Sequence, residues 1–294
     1  MFEDKRTNFM ILIKTTPDLD DWIREVRKNG DSVGYVPTMG ALHAGHLALV
    51  TKSLEICTHT VTSIFVNPTQ FNNPEDFKKY PVTLELDIFA VEKAGTDVLF
   101  LPALETVYPS GLLPKKHYQL GALETILEGK FRPGHFQGVC QIVERFLDLI
   151  KPDNLFLGLK DYQQCLVLKK LIATLPYQVK AVLCDTFREP DGLAMSSRNL
   201  RLSQDQRHLA PEIYRSLLYM QTNFGRLSAS ILKREVTLGL TEKGFRVDYV
   251  EIADPENLHP ISDNQSKGNA IALIAAFIDD IRLIDNMLLT LKLE

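Results

Sequence analysis

Residues 37–46 have the sequence PTMGALHAGH and connect a short apolar segment, residues 32–36, to an amphipathic segment, residues 47–57. The apolar segment has the length and composition of a buried strand, and the amphipathic segment is typical of a helix. Gly40 and Gly45 interrupt the connection, and a glycine allows the backbone to approach a ligand closely. A strand, a glycine-containing turn and a helix in this order indicate an α/β fold.

The same alternation of strand and helix continues along the chain. Further strand candidates are residues 61–66, 97–101, 155–157 and 179–183, and further helix candidates are residues 84–94, 139–150 and 163–175. We therefore predict a Rossmann-like, mostly parallel sheet with helices on both faces, formed by residues 1–184. A helical region and three strand candidates follow, at residues 203–239, 245–252, 270–277 and 281–285. They predict a smaller α+β domain in residues 185–294.

The composition argues against several classes of protein. The 294 residues are 45% hydrophobic and 24% charged, which is typical of a soluble globular protein. A formal net charge of −4 gives no overall attraction to nucleic acid or to an anionic membrane. The longest apolar run, residues 270–278, is far shorter than the roughly 18 residues of a membrane span. The apolar piece at residues 9–13 is too short for a signal peptide, so we expect a cytoplasmic protein.

The cysteines and most of the histidines give no indication of a site. No pair of cysteines has the spacing of a zinc or redox motif, so we expect buried, reduced thiols at Cys57, Cys140, Cys165 and Cys184. We expect ordinary surface or packing roles for His59, His117, His208 and His259.

Polar segments marked by glycine or proline follow four of the predicted strands. They are residues 37–46, 67–71, 158–161 and, after a longer loop, 195–199. Ligands of an open parallel sheet bind beyond the carboxyl ends of its strands. The sequence therefore predicts that the four segments contribute to one site.

His43 and His46 open the helix that follows the glycine turn. Residues three apart lie on the same face of a helix, and the free N–H groups and dipole at a helix amino terminus favour anions. The pair could therefore clamp a phosphate and stabilise charge that develops during phosphoryl transfer. Two incidental surface or capping histidines are an alternative. A metal site is another, although no third ligand has suitable spacing.

Met195, Ser196, Ser197 and Arg198 supply hydroxyl, guanidinium and backbone donors of the kind that bind polyphosphate. The sequence G-x-x-x-x-G-K-[ST] is absent from the chain, which argues against a Walker-type nucleotidase. By itself a Ser-Ser-Arg segment is equally consistent with a solvated turn. Together with H-x-G-H it resembles the nucleotidyltransferase superfamily, which includes the class I aminoacyl-tRNA synthetases.

Five ordered motifs narrow this resemblance to the pantothenate synthetase family. They are PTMGALHAGH at 37–46, SIFVNPTQF at 63–71, LEG with RPGHF at 127–136, KDYQQ at 160–164 and DGLAMSSRN at 191–199. Near the end of the chain, AAF at 275–277 and RLIDN at 282–286 extend it. The resemblance begins at about residue 10, so we expect residues 1–9 to be a dispensable extension.

The resemblance implies an ATP-dependent ligase of pantothenate biosynthesis, on the pathway to coenzyme A. Pantoate would attack the α-phosphate of ATP to give pantoyl adenylate and pyrophosphate. β-Alanine would then attack the acyl carbon, giving pantothenate and AMP. The resemblance also implies a homodimer, and Mg²⁺ that accompanies ATP, although no carboxylate cluster in the sequence identifies its ligands.

The resemblance also implies roles for individual residues. ATP would contact Met39, Gly40, Ala41, Leu42, His43, Ala44, Gly45, His46, Gly158, Leu159, Lys160, Asp161, Phe187, Met195, Ser196, Ser197 and Arg198. Within this set, His46 would be the catalytic histidine, His43 a phosphate ligand beside it, and Lys160 and the Ser196–Ser197–Arg198 loop would complete the catalytic groups. Gln70 and Gln164 would hold pantoate, and Gln70 would also face β-alanine.

Some positions carry weaker expectations. The family usually has Glu or Gln where this chain has Leu159, so the contact there is expected to be mainly through the backbone. Phe187 is likewise expected to contact adenine through its backbone. His135 is a weaker site candidate, and Gln163 is expected to be a helix-surface amide.

Three rival functions remain. A nucleotide-cofactor adenylyltransferase would release pyrophosphate but never AMP. The acidic charge and the lack of an evident anticodon domain argue against a tRNA synthetase. A catalytically dead ATP sensor would require lost motifs, yet His43, His46, Lys160 and Arg198 are all present.

Overall fold

The computed structural model describes residues 9–112, 116–263 and 268–290, which form two compact units. The first unit contains the described residues up to Gln119, together with Gly134–Gly158 and Leu168–Cys184. The second contains Leu120–Pro133, Leu159–Val167 and the described residues from Asp185 onward. Of the expected amino-terminal extension, residues 1–8 lie outside the described residues.

The first unit is built on six parallel strands. They are β1 (Ile11–Ile13), β2 (Val33–Thr38), β3 (His59–Ile64), β4 (Val98–Phe100), β5 (Asn154–Gly158) and β6 (Lys180–Cys184). Their order is β1-β4-β3-β2-β5-β6, which confirms the predicted Rossmann-like sheet. Because β2 pairs with β3 on one side and β5 on the other, the winding direction reverses there. The crevice that binds ligands in such sheets lies at this reversal, beyond the carboxyl ends of the strands.

Eleven α-helices are found among the described residues. They are α1 (Thr16–Lys28), α2 (Ala44–Ile56), α3 (Pro74–Lys78), α4 (Leu84–Lys93), α5 (Leu104–Val107), α6 (Leu127–Phe131), α7 (His135–Ile150), α8 (Tyr162–Ile172), α9 (Gln204–Leu209), α10 (Glu212–Asn223) and α11 (Ala229–Glu242). Among the described residues, no helix is both long and apolar enough to cross a bilayer.

Helix α7 shows how the first unit is packed. Its apolar residues recur every three or four positions and are buried, among them Val139, Val143 and Phe146. The Phe146 ring packs edge-on against the rings of Tyr35 and Phe100, with centroids about 6 Å apart. This contact fixes α7 against the centre of the sheet, close to the strands that position the candidate site.

The second unit has an antiparallel sheet in the order β7-β8-β9, formed by β7 (Arg246–Ala253), β8 (Ala270–Ile278) and β9 (Ile281–Leu289). Helices α10 and α11 share its core, to which they contribute fully buried Leu217 and Leu232. The predicted smaller α+β domain is confirmed.

The division between the units differs from the single boundary we predicted after residue 184. Residues 120–133 and 159–167, which the sequence pattern placed in the first domain, belong to the second unit. The side chain of Gln163 joins these two segments, because it accepts a hydrogen bond from the N–H of Glu128 at 3.0 Å. Glu128 in turn pairs with Arg282 of β9 at 2.8 Å. These long-range contacts give no periodic signal in the sequence.

Candidate active site

The turn after β2 is held by a buried carboxylate. Gly40 has φ +81° and Ala41 has φ +49°, so two successive residues adopt the left-handed region. The two carboxylate oxygens of Asp87 accept the N–H groups of Ala41 and Leu42, each at 2.8 Å. Asp87 was not predicted from the sequence. Its signal was an acidic residue four positions before the apolar Val91, a spacing that places both on one face of the helix, and this face is the buried one.

Replacing Asp87 with alanine removes the acceptor of two N–H groups, one buried and one half-buried, at a residue with a strained backbone. We expect the free energy of unfolding to fall by about 2–4 kcal/mol, because a buried donor that loses its partner costs roughly 1–3 kcal/mol. Urea unfolding would measure this loss. Glu85→Ala, an exposed position in the first turn of the same helix, is the control and should change stability little. Equal stability of the two variants would contradict a structural role for Asp87.

His43 and His46 stack at the start of α2. Their ring centroids are 4.0 Å apart and the ring planes are tilted by 35°; His43 is the N-cap of the helix and His46 lies in its first turn. The backbone N–H of His43 donates to Nδ1 of His46 at 3.3 Å. A neutral His46 ring with Nδ1 as acceptor therefore carries its proton on Nε2, which is the donor atom of the ring. Over the described residues, no group of three or more metal-ligating side chains includes this pair.

The turn after β3 brings Gln70 to the same part of the first unit. Its side-chain Nε2 lies 2.7 Å from Sδ of Met39, which belongs to the turn after β2. The backbone oxygen of Gln70 lies 2.8 Å from Nδ1 of His135. His135 is buried at the start of α7, so it fixes the backbone of Gln70.

Asn67 and Gly138 complete the support of this turn, and this supporting role was predicted for neither residue. The amide of buried Asn67 donates to the oxygen of Gly138 at 3.2 Å, and its Oδ1 accepts the Tyr108 hydroxyl at 2.8 Å. A Cβ at Gly138 would lie 2.2 Å from the oxygen of Thr69, so only glycine allows this close approach. The sequence contained one indication of this close approach, namely that Gly138 interrupts a helical pattern of apolar residues.

In the second unit, a short turn carries Lys160 and Asp161 ahead of α8. Lys160 Nζ lies 3.6 Å from Oδ1 of Asp161. The side chain of Asn286 donates to the oxygens of Leu159 and Lys160, both at 2.9 Å. Leu159 stands where the family usually has Glu or Gln, and its carbonyl group is held in place by this hydrogen bond.

The two glutamines of α8 differ in their surroundings. Gln164 is half-buried. Gln163, expected on the helix surface, is instead buried, and its amide donates to the oxygens of Leu123 and Ile126 at 2.8 and 3.0 Å. The prediction for Gln163 was wrong because its partners are about 40 residues away in the sequence.

The Ser-Ser-Arg loop follows a short hairpin in the second unit. The N–H of Met195 donates to the oxygen of exposed Phe187 at 3.0 Å and closes this hairpin. The Ser196 hydroxyl then accepts the N–H of Arg198 at 3.3 Å, and Ser197 is buried. Lys160 and Ser196 line one small cavity of this unit. Residues 196–198 therefore form a hydrogen-bonded, partly buried loop and not a solvated turn.

A buried ion network lies in the second unit. Arg282 donates to both oxygens of Glu128 at 2.8 Å and to Asp248 at 2.8 Å, and the Tyr249 hydroxyl also donates to Glu128 at 2.8 Å. Burial alone would raise the pKa of Glu128. The hydrogen bonds and positive charge of Arg282, together with the charge of Arg132, outweigh burial and lower this pKa to about 2.

Comparison with known proteins identifies the family to which the chain belongs. The pantoate–β-alanine ligase family matches residues 11–288. A pantothenate synthetase from Leptospira biflexa serovar Patoc (strain Patoc 1 / Ames) is 42% identical over 283 residues, covering 95% of this chain and 99% of the relative. The crystal structure of a pantothenate synthetase from Thermus thermophilus has a TM-score of 0.88 and 40% identity, covering 95% of this chain and 99% of that one. The pantoate–β-alanine ligase from Francisella tularensis, complexed with beta-gamma ATP and beta-alanine, has a TM-score of 0.80 and 35% identity, covering 95% and 98%. This chain therefore belongs to the pantoate–β-alanine ligase family.

Proposed function

We propose that this chain condenses pantoate with β-alanine in an ATP-dependent reaction that passes through pantoyl adenylate and releases AMP and pyrophosphate. Family membership and the bound ligands of the Francisella relative support the substrates. The observation that carries the proposal is the stacked His43–His46 pair at the amino terminus of α2, directly beyond the carboxyl end of β2. This is the place where a parallel sheet binds nucleotides.

The first step brings two anions together, and the proposed ATP-binding residues oppose their repulsion. Nε2–H of His46 would donate to the α-phosphate as negative charge develops on it, with His43 beside it. Lys160 and Arg198 would supply positive charge to the remaining phosphates, and the Ser196 and Ser197 hydroxyls would donate to them. Such donors accelerate the step because they are already oriented before the charge appears.

The remaining ATP contacts follow the family pattern. The backbone of residues 39–46 would lie against the nucleotide, and Gly158, Leu159, Lys160 and Asp161 would contact ribose and phosphates. The hydrogen-bonded carbonyl of Leu159 supports a backbone contact there. Phe187 would contact adenine through its backbone, and Met195 would close over the phosphates with the loop that follows it.

Pantoate and β-alanine would be held by neutral amides. Gln70 and Gln164 can each donate and accept, which suits the hydroxyls and carboxylate of pantoate. The contact of Gln70 with Met39 supports a pantoate position beside the nucleotide-binding turn. Gln70 would also face the incoming amine of β-alanine.

Mg²⁺ would enter with ATP in this proposal. Magnesium in such sites is held mainly by phosphates, with one or two carboxylates and water. The described residues contain no three-residue ligand cluster, so we assign no protein ligand to the ion and no step to it. A cytoplasmic homodimer is part of the same proposal and rests on the family resemblance.

Isotope transfer tests the adenylate path. If a carboxylate oxygen of pantoate attacks the α-phosphate, that oxygen leaves with AMP when β-alanine displaces it. Pantoate labelled with ¹⁸O at both carboxylate oxygens should transfer one label to AMP for each pantothenate formed, as read by mass spectrometry. An acyl-phosphate path would give ADP and labelled inorganic phosphate. An adenylyltransferase would release pyrophosphate without AMP, and an ATP sensor would form no product.

A further inference from the structure

Two buried polar residues on β9, Asp285 and Asn286, have no role in the chemistry proposed above. We propose that they are positioning residues, which hold the Lys160 turn and the hairpin that leads into Ser196–Arg198 where the nucleotide phosphates are to bind. This inference rests on the proposed function, because it takes Lys160 and the loop as phosphate-binding groups.

Asn286 anchors the turn. Its Nδ2 donates one hydrogen bond to the oxygen of Leu159 and one to the oxygen of Lys160, both at 2.9 Å, so both amide hydrogens are used. Two successive carbonyls held by one amide limit rotation of the intervening peptide. The long, flexible side chain of Lys160 therefore begins from a fixed backbone position, which reduces the conformations it must lose on binding.

Asp285 anchors the hairpin. Its carboxylate accepts two hydrogen bonds from Arg188, at 2.6 and 3.0 Å. Arg188 also donates to the oxygen of Gly192 at 3.1 Å and lies 4.4 Å above the Tyr214 ring. A Cβ at Gly192 would fall 1.9 Å from that ring, so the tip of the hairpin lies directly against α10. Arg188 therefore joins the base of the hairpin to its tip through Gly192 and to β9 through the bidentate pair with Asp285.

The two anchors act at one place in the second unit. Lys160, Ser196 and Asp285 line the same small cavity. Adjacent residues of one strand thus hold a lysine turn and a serine loop that are 36 positions apart in the sequence. A displacement of either residue would change the separation of the two phosphate-binding groups, and errors of about 1 Å in such groups reduce rates strongly.

Asn286→Ala and Asn286→Asp test the turn anchor. We expect kcat/KM for ATP to fall by about tenfold or more in both variants, and KM for β-alanine to stay within about twofold. Aspartate has the shape of asparagine but offers an oxygen to the two carbonyls, so it should be at least as harmful as alanine. Leu240→Ala is the control, since it destabilises the core of the same unit without touching the turn. A milder effect of aspartate, or an unchanged kcat/KM for ATP in the alanine variant, would overturn the proposal for Asn286.

A double-mutant cycle identifies the group through which Asn286 acts. In a Lys160→Ala background, Asn286→Ala should cause little further loss of kcat/KM for ATP, whereas independent action would give additive losses and contradict the inference.

Arg188→Lys, which cannot form the bidentate pair, tests the hairpin anchor and should weaken ATP binding severalfold. Calorimetry measures ATP binding by every variant directly, so the two anchors are tested independently of the overall reaction. A wild-type chain that binds ATP without forming AMP would refute the proposed function alone, and unweakened ATP binding in the Asn286 and Arg188 variants would refute the anchors.

Discussion

Replacing His46 with alanine is expected to lower the rate of adenylate formation by about a hundredfold or more, which is the usual effect of removing one preorganised transition-state donor. In the structure the Nδ1 atom of His46 is engaged by the N–H of His43, so Nε2–H is the donor that the substitution removes. Rapid mixing of enzyme with ATP and pantoate, without β-alanine, isolates this step. Pyrophosphate released in a single turnover measures its rate.

The fold should survive the loss of His46, because the residue is half-buried in the first turn of a helix and outside the hydrophobic core. His208→Ala is a suitable control, since His208 is exposed on α9 and has no place in the proposed reaction. Circular dichroism of both variants should match the parent chain. Single-turnover adenylation by the His46 variant at a near-normal rate would remove this residue from the catalytic role.

Glu128→Gln is expected to have the largest effect on stability, a loss of about 3–5 kcal/mol in the free energy of unfolding at pH 7. The substitution keeps the shape of the side chain but removes the buried charge that pairs with Arg282 at 2.8 Å. Breaking one side of a buried ion pair leaves the other charge poorly compensated, which accounts for the size of the loss. Urea unfolding measures it. The control is Glu242→Gln at the exposed end of α11, and a similar small loss in both variants would contradict the prediction.

The contribution of Glu128 should also depend on pH. A pKa lowered from 4.5 to about 2 corresponds to about 3 kcal/mol of stabilisation of the ionised form. Because the folded-state pKa is lower than that of the unfolded chain, this stabilisation is complete above about pH 5 and is lost as the pH falls toward 2. The difference in stability between the parent chain and Glu128→Gln should therefore narrow between pH 5 and pH 3. A constant difference would mean that the two oxygens act only as neutral acceptors.

Most of the sheet could be predicted from the sequence because its central strands are short apolar runs separated by helical patterns. Strand β1 was missed: its three residues belong to the apolar piece at residues 9–13, which was considered only as a signal peptide, and a three-residue strand with two exposed side chains at the edge of the sheet is too short to stand out. The spacing of His43 and His46 predicted that they lie near each other at the start of a helix, since helix geometry is local, but the contact between their rings was not predicted.

The supporting residues of the site were not predictable in the same way. Asp87 binds N–H groups 45 and 46 positions earlier, and Asn286 binds carbonyls 126 and 127 positions earlier. Periodicity reports which face of an element is buried, but it does not report which distant backbone group a polar side chain meets. For the same reason, the single domain boundary after residue 184 did not anticipate the segments that join the second unit.

The ion pair between Glu128 and Arg282 can form only after both residues have been synthesised. The two residues are 154 positions apart, and residues 134–158 and 168–184 of the first unit are synthesised between them. At roughly 5–20 residues per second, about 8–30 s pass between the synthesis of Glu128 and that of its partner. During that interval the first unit can complete its sheet, whereas residues 120–133 and 159–167 remain without the strands that bury them. The second unit is therefore expected to be the part of the nascent chain that completes its fold last.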